Sequence, residues 1–249
     1  MMGDVNQVDV VLANNDRVTL RVGGTFLKVD ADQKRTDVEV EALRLAPVPT
    51  PQILWRKSPV LALAALPGRT LGRLGEASTA SAAAWTAVGR VIRTLHDAPL
   101  PPWPETGRDE LGSRLADECD WLIDNDVLAI DVVTHNRELA ETVLRSYTPV
   151  FIHGDLHLEH IFVDGEKVTG IIDWSEARRG DALFDIASLT LANEERLDDF
   201  LAGYGGEVDR DMVGAWWSCR CLLSVRWLFE NGYGSPADLP EVDVLRSQA

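Results

Sequence analysis

The stretch Val150-Phe151-Ile152-His153-Gly154-Asp155-Leu156-His157-Leu158-Glu159-His160-Ile161-Phe162-Val163, followed by Val168-Thr169-Gly170-Ile171-Ile172-Asp173-Trp174, decides the reading of this chain. Two short apolar runs enclose a turn, and each delivers an acidic residue at its edge. An apolar run that breaks at His-Gly-Asp reads as a buried strand ending in a tight turn that presents a carboxylate. His160 comes five residues after Asp155, and Asp173 closes the β-branched run that starts at Val168. The expectation is a single β-hairpin that gathers Asp155, His160 and Asp173.

A lone Asp after a strand would simply cap the next turn. Asp155 has company: His153, His157 and His160, three of the five histidines, fall within eight positions. That setting suits a carboxylate base orienting an attacking hydroxyl, with further groups holding Mg²⁺ against the phosphates of a nucleoside triphosphate. Asp173 fits Mg²⁺, a hard cation that one or two carboxylates and phosphate oxygens satisfy. His160 is less natural there, since imidazole suits softer metals. A zinc site from His153, His157, His160 and Asp173 therefore competes, although its spacings match no zinc signature. His153 reads as a residue that holds the loop by hydrogen bonds, and His157 is open between a structural and a ligand-facing role.

Upstream, Val8 to Leu12, Val18 to Val22 and Phe26 to Val29 are short apolar or β-branched runs. Asn14-Asn15-Asp16 and Gly23-Gly24 separate them as hairpin turns would. A helix is expected from Thr36 to Leu45, with Thr36 as cap, Glu39 completing a capping box and Pro47 ending it. Ile53–Trp55 and Val60–Leu66 add two strands before Pro67-Gly68. Lys28 lies in an alternating strand and would ordinarily be solvated. A glutamate on the following helix, Glu39 or its rival Glu41, could instead orient the ammonium toward phosphates. From Ser78 the periodicity is helical, with helices expected at about 111–128, 136–146, 183–191, 194–203 and 210–230. The last, apolar on several faces, reads as a core helix, and the tail from Tyr233 as irregular.

The 249 residues suffice for a substantial core, and the fold class is α+β: a β-rich small lobe over residues 1–66 and a mainly helical lobe over 67–249. No apolar run is long enough to span a membrane, and Met1 to Asn6 do not begin as a secretory leader does. Cys119, Cys219 and Cys221 lack zinc spacing, and Cys219 and Cys221, in an apolar Trp-rich stretch, read as buried reduced thiols, so the expected compartment is cytoplasmic. A net charge of −16 argues against nucleic acid as a partner, while it would steer a cationic small molecule. Asp117, Glu118, Asp120, Asp124, Asp126 and Glu176 are candidate grips for such a cation, the first five reading more naturally as a solvated helix face.

With these motifs on the page, the chain resembles the aminoglycoside phosphotransferases, antibiotic kinases with a bilobal protein-kinase-like fold. The resemblance rests on His153-Gly154-Asp155, on His160 five residues after the Asp, and on Ile172-Asp173-Trp174. It extends to Lys28, Pro47-Val48-Pro49, Leu95-His96-Asp97, Gly180-Asp181 and Asp185-Ile186-Ala187. Most members carry Asn where this chain has His160. The macrolide phosphotransferase branch carries His there and is similar through Asp173-Trp174-Ser175-Glu176-Ala177. The resemblance implies ATP, with GTP as alternative donor, bound in the cleft with Mg²⁺. It assigns Asp155 as base, His160 and Asp173 as metal ligands, Lys28 as the phosphate lysine, and backbone groups of Ala64 and Leu66 as the adenine contacts. Asp185 would brace the catalytic loop. The acceptor implied is a small hydroxylated molecule, an antibiotic of aminoglycoside or macrolide type, and the alternatives are a small-metabolite kinase or a nucleotide-binding pseudokinase.

Overall fold

A computed structural model describes residues 7–14, 16–105 and 107–249. The start of the chain, read above for a leader, and Asn15 of the first turn lie outside the described residues. Strands β1 (Val8–Ala13), β2 (Arg17–Val22), β3 (Thr25–Asp30), β4 (Ile53–Lys57) and β5 (Val60–Ala64) form one antiparallel sheet in the order β1-β2-β3-β5-β4. Gly23-Gly24 is the two-residue turn between β2 and β3, with Val22 paired to Thr25. The register sets Lys28 between Thr19 and Leu61, in the middle of the sheet.

Helix α1 (Gln33–Leu45) begins three residues earlier than the capping-box reading placed it. Asp32 is the cap, its side chain accepting from the Lys34 amide, and Thr36 is buried inside the helix. Glu39 does not reach back to cap anything. It faces Lys28 instead.

The sheet ends at Ala64, and the next strand, β6 (Arg69–Thr70), pairs with β8 (Ile161–Asp164) in the other lobe. That lobe holds α2 (Ala82–His96), α3 (Arg108–Asp124), α4 (Ile130–Glu141), α5 (Ala182–Thr190), α6 (Leu197–Tyr204) and α7 (Arg210–Glu230). Helix α7 packs against α3, α4 and α5 through Val213, Trp216, Cys219, Leu222 and Val225, all buried, and is the core helix expected. The tail is not irregular: α8 (Pro240–Ser247) packs on α7 and α4 through Val242 and Leu245, and Asn136 Nδ2 donates to the Leu245 carbonyl at 2.8 Å. All three cysteines are free and buried, and burial raises the thiols of Cys119 to about 11 and of Cys219 to about 12. No helix among the described residues is long and apolar enough to cross a membrane.

The expected single hairpin is in fact two ladders. Strand β7 (Val150–Ile152) pairs with β10 (Arg178–Gly180), while β8 pairs with β9 (Lys167–Ile171). Asp155 leaves the first ladder. His160 and Asp173 stand at the open end of the second, where the Ile172 amide donates to the His160 carbonyl at 2.9 Å.

Candidate active site

The loop after β7 turns at Gly154, whose φ of +84° is a left-handed conformation that favours glycine. A Cβ there would also lie 2.1 Å from the Glu176 carbonyl oxygen and 2.4 Å from Arg178 Nη1. Asp185 holds this turn from below. It accepts the His153 amide at 2.7 Å and the Gly154 amide at 3.0 Å, with His96 Nε2 at 3.3 Å. The His153 ring is fully engaged: Nε2 donates to the Ile172 carbonyl at 2.9 Å, and Nδ1 accepts from the Asp155 amide at 3.3 Å. This is the loop-holding role read from the sequence. It also removes His153 from the competing zinc set, because neither ring nitrogen remains for a metal.

Asp155 is thereby fixed by its backbone, while its side chain stays 39% exposed. Burial would raise its carboxyl, but His160, Arg220, His157 and His153 outweigh this and keep it below the ordinary carboxylate range. A carboxylate that stays ionised and exposed is what a base for a hydroxyl proton needs.

Lys28 donates to both oxygens of Glu39, at 2.6 and 2.7 Å, and to Asp173 Oδ1 at 2.9 Å. Glu41 is exposed on the other side of α1, which resolves the choice between the two glutamates. Burial works against the Lys28 ammonium, yet Glu39 and Asp173 more than compensate and raise it above an ordinary lysine. Asp173 sits in left-handed backbone, φ +62° and ψ +63°, a conformation Asp adopts more readily than most residues. Its Oδ2 lies 3.3 Å from Arg17 Nη1, and Arg17 Nε in turn pairs with Asp30 at 3.2 Å. Burial opposes the Asp173 carboxylate, but Lys28, His160 and Arg17 hold it far below the usual range. Arg17 was not singled out in the sequence: 156 residues separate it from Asp173, and nothing local marks it.

His160 Nδ1 lies 2.7 Å from the Asp155 carbonyl oxygen. A carbonyl only accepts, so Nδ1 carries the hydrogen and Nε2 keeps its lone pair. That nitrogen is 3.8 Å from Asp173 Oδ2. Burial, then the adjacent His157, lowers the His160 ring to about 3, so it is neutral near pH 7. The His157 ring lies 3.5 Å from that of His160, and its Nδ1 accepts the Glu159 amide at 3.3 Å. Ligand-capable atoms of Asp155, His157 and His160 all fall within 4.8 Å of one another.

The two hinge residues sit at the lobe junction. Ala64 ends β5 with its amide donated to Gln52 O at 2.9 Å, leaving only its carbonyl to offer. The Leu66 side chain fills the space above Gly170. Glu176 pairs with Arg35 of α1 at 2.8 Å, a half-exposed contact that helps join the lobes. Asp117, Asp120, Asp124 and Asp126 are exposed, the solvated-face arrangement, whereas Glu118 is half-buried with its Oε2 buried and unpartnered among the described residues, and burial raises its carboxyl.

Residues 20–216 match the family described as the phosphotransferase enzyme family. The chain belongs to that family. Among curated relatives in it, an aminoglycoside 3'-phosphotransferase of Enterococcus faecalis is 37% identical over 108 residues, 39% of each chain. The chain thus spans about two-fifths of the length of the curated relatives it matches. The GDP complex of wild-type aminoglycoside 2'-phosphotransferase-IIIa superposes with a TM-score of 0.75 at 18% identity, covering 99% of this chain and 93% of the other. A macrolide 2'-phosphotransferase of Brachybacterium faecium gives 0.68 at 18%, covering 96% and 91%. The bilobal kinase-like fold of this phosphotransferase family is therefore the fold of this chain.

Proposed function

We propose that the protein is an ATP-dependent O-phosphotransferase that moves the γ-phosphoryl group to a hydroxyl of a small molecule. One observation carries this reading: Lys28, Asp173, His160 and Asp155 form a continuous chain of contacts across the lobe junction. Residues 1–66 would hold the nucleotide and residues 67–249 the catalytic loop and acceptor. Carbonyl Ala64 and amide Leu66 are the assigned adenine contacts, and GTP is the alternative donor. Lys28, oriented by Glu39, would neutralise the nucleotide phosphates. Asp155 would take or orient the hydroxyl proton as the oxygen attacks phosphorus in line.

Asp173 and His160 would hold Mg²⁺, and their chemistry fits that task. One is a strongly ionised carboxylate; the other presents an unprotonated Nε2 on the same side, fixed by its Nδ1 hydrogen bond. When bound, the ion offsets charge on the transferring phosphate. An antibiotic acceptor is supported by the family and by the names of its relatives, and the macrolide-branch affinity by the residues around His160 and Asp173. Incubation with Mg·ATP and a chemically diverse panel of hydroxylated compounds, read by mass spectrometry, tests the reading. Wild type should add one phosphoryl group to an acceptor, and Asp155→Ala should lower turnover by at least about 100-fold. Undiminished turnover in Asp155→Ala would remove the base assignment.

A further inference from the structure

Two cations converge on Asp173, and the proposed transfer gives a role to only one of them. The β2–β3 register sets Arg17 opposite Asp30 and Thr19 opposite Lys28, so these four side chains share one face of the sheet. Lys28 takes Asp173 Oδ1 at 2.9 Å, and Ser175 Oγ donates to the same oxygen at 3.3 Å. Oδ2 has different neighbours: Arg17 Nη1 at 3.3 Å and His160 Nε2 at 3.8 Å. The oxygen that faces the second assigned metal ligand is therefore the one Arg17 touches.

Arg17 is held firmly at its base and loosely at its tip. Its amide donates to Asn14 Oδ1 at 2.8 Å, and its carbonyl accepts the Asn14 amide at 2.9 Å. Nε donates to Oδ2 of the buried Asp30 at 3.2 Å, while Asp30 Oδ1 accepts the Asp32 amide at 2.8 Å. Nη1 reaches only Asp173, and Nη2 has no hydrogen bond among the described residues. Both Arg17 ion pairs are longer than the about 2.7–2.9 Å of a close charge-assisted bond. Lys28, by contrast, meets Glu39 at 2.6 and 2.7 Å. The outer edge of the Arg17 guanidinium thus keeps the planar fork that phosphate oxygens accept in pairs.

Charge decides where that fork turns. Mg²⁺ on Asp173 and His160 would set two positive charges beside a guanidinium on the same carboxylate oxygen, and like charges so close repel. Arg17 can yield Oδ2 without leaving the site, because Asp30 keeps hold of Nε. The nearest anionic groups would then be the phosphate oxygens assigned to Lys28. Joining the lobes does not require Arg17, since Lys28 also spans to Asp173 and Arg35 pairs with Glu176.

We propose that Arg17, oriented by Asp30, is a second phosphate-binding residue for the donor nucleotide, working beside Lys28 and leaving Asp173 Oδ2 to the metal. This rests on the phosphotransferase reading above. The test is calorimetric titration of adenosine, ADP and ATP, each with Mg²⁺, into wild type, Arg17→Gln, Arg17→Lys and Asp30→Asn. The guanine series runs alongside, since GTP is the alternative donor. Adenosine reports the base pocket and the fold. Arg17→Gln should weaken ATP about tenfold or more, as loss of a charge-assisted contact predicts, and leave adenosine within about twofold. Arg17→Lys, which keeps the charge without the fork, should fall between wild type and Arg17→Gln. Asp30→Asn should lower the ratio of ATP to adenosine affinity by a smaller factor than Arg17→Gln. An arginine that only neutralised Asp173 would give the opposite sign: its removal frees the carboxylate for Mg²⁺, and ATP binds as well or better. That result, or an equal loss for adenosine and ATP, overturns the proposal. Should Arg17→Gln bind no adenosine, Arg17→Lys decides by the same ratio. Wild type that bound neither nucleotide series would refute the phosphotransferase reading as well, whereas wild-type ATP binding that Arg17→Gln leaves intact overturns this proposal alone.

Discussion

Lys28 and Arg220 are both cations beside a carboxylate of the cleft, and the protein sets them in opposite ways. Lys28 is 12% exposed, and its ammonium is matched by Glu39 and Asp173 at hydrogen-bond distance. Arg220 is 28% exposed and has one loose carboxylate neighbour, itself 39% exposed. The donor side of the cleft is thus organised before any ligand arrives, with each charge opposed by another. The Asp155 side keeps the Arg220 Nε without a partner among the described residues. In kinase chemistry the first arrangement orders the phosphates for in-line transfer, and the second leaves room to discriminate among hydroxyl compounds.

This contrast predicts unequal penalties. The largest belongs to Lys28→Met, which strands Glu39, 4% exposed, without a counter-charge. Breaking a buried pair from one side costs about 3–5 kcal/mol, and urea denaturation should show a loss of that order. Adding Glu39→Gln should recover much of it, because the buried charge is then gone. A loss under about 1 kcal/mol for Lys28→Met would mean that the pair is not buried as described. The smallest belongs to Arg220→Gln: with both partners substantially exposed, unfolding should change by no more than about 1 kcal/mol. A larger change would place Arg220 with the structural pairs and weaken the contrast.

Much of this was legible in the sequence, for definable reasons. Local signals worked where the needed contact was local: the His153-Gly154-Asp155 turn, the β2–β3 glycine turn, and the apolar periodicity of α7. A pairing of Lys28 with a glutamate of the following helix is legible because the two elements are neighbours in sequence, while the choice of Glu39 over Glu41 needs the structure. The same Glu39 also misled. Thr36 and Glu39 have capping-box spacing, but Thr36 is buried and Asp32 caps α1. Asp155 was assigned to the wrong ladder because β7 pairs with β10 beyond the whole β8–β9 hairpin, and strand pairing at that distance leaves no periodic trace. Arg17 escaped for the same reason. Helix α8 was hidden by the Gly and Pro residues just before it, although Pro240 at the first helical position and the Val242 to Leu245 spacing are both helix-compatible.

The central claim is that Asp173, with Lys28 and His160 around it, is the place where metal-bound phosphate is held. Calorimetric titration of ATP into wild type and Asp173→Asn, each with and without Mg²⁺, tests it most directly. Binding to wild type should depend on Mg²⁺, and Asp173→Asn should weaken it by at least about tenfold and erase that dependence. Equal affinity with and without Mg²⁺, unchanged by Asp173→Asn, would contradict the account.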